Sequence, residues 1–77
     1  MQDVTLVSPL SDHRLYVEFD SGEKGIFDMK PYLSIGQYRQ LQDERLFNQV
    51  YVDCFTATWP GGIDIAPERI YNELQTA

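Results

Sequence analysis

Tyr51-Val-Asp-Cys-Phe-Thr-Ala-Thr-Trp-Pro-Gly-Gly-Ile-Asp-Ile-Ala-Pro-Glu-Arg-Ile-Tyr71 is the stretch whose reading decides the fold. It holds the only Trp, the only Cys and the only Gly-Gly pair of the chain. Val50, Val52 and Cys54 alternate with Tyr51 and Asp53, which predicts a strand with Cys54 on the inward side. A reversal follows near Phe55, and a second strand runs from Thr56 to Trp59. Pro60-Gly-Gly62 ends that strand, because Pro lacks a donor and Gly accepts positive φ. Pro67 suits the first position of a closing helix, with Glu68 favourable against its N-terminal dipole. Ile70, Tyr71 and Leu74 give that helix an apolar face.

Upstream, Arg14-Leu-Tyr-Val-Glu-Phe19 alternates strictly, with Leu15, Val17 and Phe19 on one side. Period two is the mark of a half-buried antiparallel strand. Gly22 reverses the chain, and Lys24–Asp28 returns as the hairpin partner, placing Glu18 near Lys24. Residues 4–9 read as a first strand, with Val4 and Leu6 on one face, Val7 on the other, and Pro9 suited to an edge. Between hairpin and closing unit, Asp28 caps a short turn with Pro31 inside it, Gly36 breaks that segment, and Tyr38–Leu41 forms another turn. Asp43 offers a cap for a helix near 43–49. The pattern predicts an α+β class: one antiparallel sheet containing 14–19, 24–28, 50–54 and 56–59, with helices near 43–49 and 67–75.

Seventy-seven residues make a single domain, 1–77. A chain this short buries only about 60% of its unfolded surface, so association with a second chain is attractive. A hydrophobic content of 43% supports a packed core. Twelve acidic and six basic residues give a net charge of -6, with no Lys or Arg run. That balance argues against nucleic-acid backbones and anionic membranes, and it suits a basic partner. One Cys makes no internal disulfide, and no leader or long apolar run is present, so a soluble cytoplasmic protein is expected.

Candidate chemistry is sparse. Asp64, between a glycine turn and a helix start, is the sharpest acid; it reads either as a ligand for a cation or a substrate hydroxyl or, more often, as an acceptor for loose backbone N–H groups, and Asp28 has the same two readings. Trp59 with Pro60 reads either as a core anchor or as a groove wall. His13, among Ser11, Asp12 and Arg14, reads as a solvated loop residue without a positioned nucleophile. No phosphate loop, metal-ligand spacing or nucleophile elbow is found, so neither catalysis nor a cofactor is expected.

At Trp59-Pro-Gly-Gly-Ile-Asp-Ile-Ala-Pro67 the chain resembles the domain-of-unknown-function 2442 family of small bacterial proteins. Trp59, Pro60, Gly62, Asp64, Ile65 and Tyr71 match its pattern, and Leu15, Val17, Phe19, Gly22, Asp28, Leu41, Asp43, Phe47 and Val50 stand where the family has similar residues. Gly61 departs from the usual polar turn residue. The resemblance implies a compact α+β fold and assigns no activity. It also implies that some relatives carry a further helix-turn-helix part, which is not expected after Ala77, and that relatives are often encoded beside another small protein. The resulting expectation is a non-enzymatic interaction module, an antitoxin-like half of a two-protein pair, with Trp59, Pro60, Gly62, Asp64 and Tyr71 as its motif. Its partner would be a small basic protein encoded nearby or a second copy in a homodimer; the alternative is a regulatory or ligand-sensing domain without a DNA-binding half.

Overall fold

The computed structural model describes residues 2–76. Six strands, β1 (Val4–Leu10), β2 (Arg14–Phe19), β3 (Lys24–Asp28), β4 (Tyr51–Asp53), β5 (Thr56–Trp59) and β6 (Ile63–Asp64), accompany two short helices, α1 (Glu44–Phe47) and α2 (Pro67–Asn72). Segments of 3₁₀ helix occupy Lys30–Tyr32 and Gly36–Gln42. The class is α+β, as the pattern implied, but the strands form two antiparallel three-stranded sheets, β1-β2-β3 and β4-β5-β6, rather than one.

The first sheet follows from the alternation. Leu15, Val17, Phe19 and Phe27 are buried, and Glu18 lies opposite Lys24 in the β2–β3 register. Glu18 does not pair with Lys24, however; it accepts from the Tyr16 hydroxyl at 2.6 Å. β1 departs from the expected facing. Val4 pairs with Phe19 but Leu6 pairs with Glu18, so one extra residue sits on β1. That bulge flips the parity: Leu6 turns outward with Glu18, and Val7 turns inward with Val17.

The second sheet closes through its turns. The strand expected at 50–54 stops at Asp53, because Cys54 and Phe55 form the reversal at φ +50° and +65°. Cys54 is therefore exposed instead of inward. Gly61 and Gly62, at φ +95° and +81°, fold the chain back as a hairpin, so Ile63 pairs with Trp59 and β6 appears where the pattern showed only a loop.

Both helices are shorter than their apolar periodicity. Asp43 caps α1 by accepting from the Arg45 amide at 2.9 Å, but the chain then tightens to i−3 bonds at Gln49 and Val50. After α2, Gln75 leaves the helical path and exchanges two backbone hydrogen bonds with Ile26, at 2.7 and 2.8 Å. Gly25 permits this approach: a Cβ there would collide with the Gln75 carbonyl and lie 2.9 Å from Leu74 Cγ. The inner residues of both sheets join Leu41, Phe47 and Ile70 in one buried cluster.

Candidate functional site

The motif residues serve the core and its turns and do not converge on one site. Trp59 is fully buried, its Nε1–H donates to the Phe47 carbonyl at 2.9 Å, and the two rings lie 6.0 Å apart. It is the core anchor of the two readings. Pro60 and Gly62 are exposed in the turn. Asp64 is exposed, and its carboxylate accepts from no donor among the described residues, so the expected capping role is not taken up. Its backbone carbonyl instead accepts from the Tyr38 hydroxyl at 2.8 Å. Tyr71 is half-buried on α2, edge-on to Phe19 and donating to Glu23 at 2.8 Å, away from the Trp59–Phe47 contact. Asp28, by contrast, does accept from a loose turn amide, that of Lys30 at 2.9 Å, although the N-cap of the Lys30–Tyr32 segment is Met29 rather than Asp28.

Of the clefts elsewhere among the described residues, two are lined by aromatic side chains. One, of about 450 Å³, runs between the β1–β2 turn and α1, lined by Leu10, Asp12, His13, Glu44, Phe47 and Asn48. His13 is not the solvated loop residue expected. With Asp12 and His13 at φ +65° and +54°, the turn brings its ring edge-on to Phe47, 5.0 Å between centroids. Its Nε2 is shielded from water and has no hydrogen-bond partner among the described residues. Lys30 donates to Asp12 at 2.9 Å, holding that carboxyl below its ordinary range while the lysine is raised.

The second cleft, of about 330 Å³, is lined by Tyr32, Ile35, Tyr38, Ala66 and Arg69. Tyr32 donates to the Glu73 carboxylate at 2.6 Å, and the Arg69 guanidinium sits 5.6 Å from its ring centre. Burial first, and then the carboxylate, push the Tyr32 hydroxyl up. For Tyr38 burial leads and Asp64 adds to it.

The exposed apolar residues cluster on different elements. Leu6 (43%), Tyr51 (45%), Val52 (36%) and Phe55 (65%) lie on β1, on β4 and in the β4–β5 turn, while Ile35 (53%) lines the tyrosine cleft. β1 is tied to that turn, since the Val4 amide donates to the Phe55 carbonyl at 2.9 Å. Residues 2–13 and 46–68 contain no Lys or Arg, whereas Asp3, Asp53 and Asp64 are among them. The sequence placed a reversal near Phe55 but carried the strand through Cys54, so the exposure of the Cys54–Phe55 tip was missed. Among the described residues no three His, Cys, Asp or Glu gather to hold a metal ion, and no helix is long and apolar enough to cross a membrane.

Among comparisons with known proteins, a family model described as a protein of unknown function (DUF2442) matches residues 4–76. No curated protein and no solved structure matches.

Proposed function

The chain belongs to the domain-of-unknown-function 2442 family, and on that premise we propose that it is a cytoplasmic protein-interaction module without catalytic turnover. In this reading it is the antitoxin-like half of a two-protein pair, and its partner is a small basic protein encoded nearby. The observation that carries the reading is an exposed apolar set, Leu6, Tyr51, Val52 and Phe55, on segments without Lys or Arg in a chain of net charge -6. Burial of such side chains drives association, and opposite charge steers it. A second copy is the alternative partner, but pairing two chains of net charge -6 would bring like charges together.

The test is a titration against the adjacently encoded protein at about 50 mM and about 300 mM salt. Binding at or below about micromolar Kd, slower to form at the higher salt, is the expected result. No binding, or DNA binding by this chain alone, overturns it.

A regulatory, ligand-sensing role is the second reading, favoured by the cleft beside His13, whose wall Phe47 also packs on Trp59. A small molecule that raises Tm and alters Trp59 fluorescence would select it.

A further inference from the structure

We infer that the β4–β5 hairpin tip, led by Phe55, is the anchor that enters an apolar socket on a protein partner with a basic rim. This inference rests on the interaction-module reading and names its surface.

Phe55 is the most exposed of the large apolar residues, at 65%. A core-forming hairpin has no need of an aromatic ring at its tip. The two-residue turn demands positive φ at both positions, which Asn-Gly supplies without strain; here Cys54 and Phe55 hold φ +50° and +65°. Strained positions of this kind persist where the surroundings enforce them, and they concentrate at clamps and binding loops. The surroundings here are explicit. Asp53 pairs with Thr56 across the turn, Thr56 donates to the Ile65 carbonyl, and Val4 donates to the Phe55 carbonyl. The backbone under the ring is thereby held on two sides while the ring itself stays in water. A contact fixed before binding loses less conformational freedom on association.

Charge selects the occupant. Asp53 adjoins the tip, and Asp3, next to Val4, is linked to Asp20 by reciprocal hydrogen bonds at 2.9 and 3.2 Å. Glu18 lies outward opposite Leu6, Lys24 faces Glu18 from β3 on the side away from β1, and Arg14 is at the far end of the register, opposite Leu10. A second copy would oppose acids with acids, whereas a partner rimmed with Lys or Arg would pair with them.

The test places p-benzoylphenylalanine at position 55, and in a separate chain at position 35 (Ile35 is also exposed), in the native host. The photo-crosslinked protein is identified by mass spectrometry, purified, and titrated with the parent chain, Phe55→Ala and Asp53→Lys. Crosslinking from 55 to a positively charged protein is expected. Phe55→Ala should then weaken binding by about 30-fold or more, as loss of an interface anchor does. Asp53→Lys should slow association and flatten its salt dependence, with Tm unchanged in both variants. Crosslinking from 35 but not 55, a second copy captured at 55, or undiminished affinity of Phe55→Ala would remove this surface while leaving the interaction module standing. Absence of any adduct from a scan of all exposed positions would remove both.

Discussion

Replacing Trp59 separates packing from hydrogen bonding in the core. The indole is fully buried and donates to the Phe47 carbonyl at 2.9 Å. Trp59→Ala removes the largest core side chain and should cost about 3–5 kcal/mol. A domain of this size has a total stability of about 4–12 kcal/mol, at roughly 0.05–0.15 kcal/mol per residue, so the Ala chain approaches the unfolding threshold. Trp59→Phe keeps most of the apolar contact with the Phe47 ring and deletes the donor. The Phe47 carbonyl still accepts from the Val50 amide at 3.3 Å, so it is not left unpaired. The Phe variant should therefore lose only a net hydrogen bond, about 0.5–1.5 kcal/mol, plus a small volume term. Urea denaturation followed by far-UV circular dichroism measures both, and an unchanged m value confirms a common unfolded reference. At about 4–8 °C per kcal/mol, the Ala variant should melt at least about 12 °C below the parent. A loss below about 1 kcal/mol for Trp59→Ala would refute the core assignment. Equal losses for Phe and Ala would show that the hydrogen bond, not the packing, carries the site. Since Trp59 lies beneath the surface, Trp59→Phe should leave partner affinity unchanged.

Further outcomes are expected. Gly25→Ala should cost roughly 2–5 kcal/mol, combining overpacking with the two lost Ile26–Gln75 bonds, and hydrogen exchange should show those two amides losing protection first. Cys54→Asn with Phe55→Gly should stabilise the fold by about 1–3 kcal/mol by relieving two left-handed residues, while abolishing partner binding; a stabilised chain that still binds would separate the turn from function. Alkaline stability should fall: Tyr16, Tyr32, Tyr38 and Tyr71 are raised above 10.0 by their carboxylate neighbours or burial, and Lys30 is raised above 10.5 by Asp12. The native state holds these protons more tightly than the unfolded one, so their contribution is present below the ordinary values and lost as pH rises through the folded ones. Denaturation between about pH 9 and about pH 11, alongside tyrosinate absorbance, checks this, and a flat profile contradicts it. In acid, Asp12, lowered from 3.8 by Lys30, contributes above that value and loses its contribution as pH falls through the lowered one.

Local patterning determined much of this protein. The alternation of Leu15, Val17 and Phe19 made β2, Gly22 made its turn, Asp28 took the Lys30 amide, Asp43 capped α1, and Pro67 opened α2. Each of these depends on residues adjacent in the chain, where propensity and periodicity act directly. The family, too, was legible from Trp59 through Tyr71 together with upstream matches. Tertiary structure decided what depends on distant partners. The bulge in β1 exists because Val4 meets Phe19 while Val7 meets Val17, and nothing within residues 4–9 marks it. α2 stops at Asn72, and Gln75 exchanges two backbone hydrogen bonds with Ile26 across the gap left by Gly25. His13 became a packed ring because Phe47 lies beneath it. Cys54 and Phe55 were turned out to solvent because β4 and β5 must reverse within two residues, and that reversal created the surface assigned to the partner.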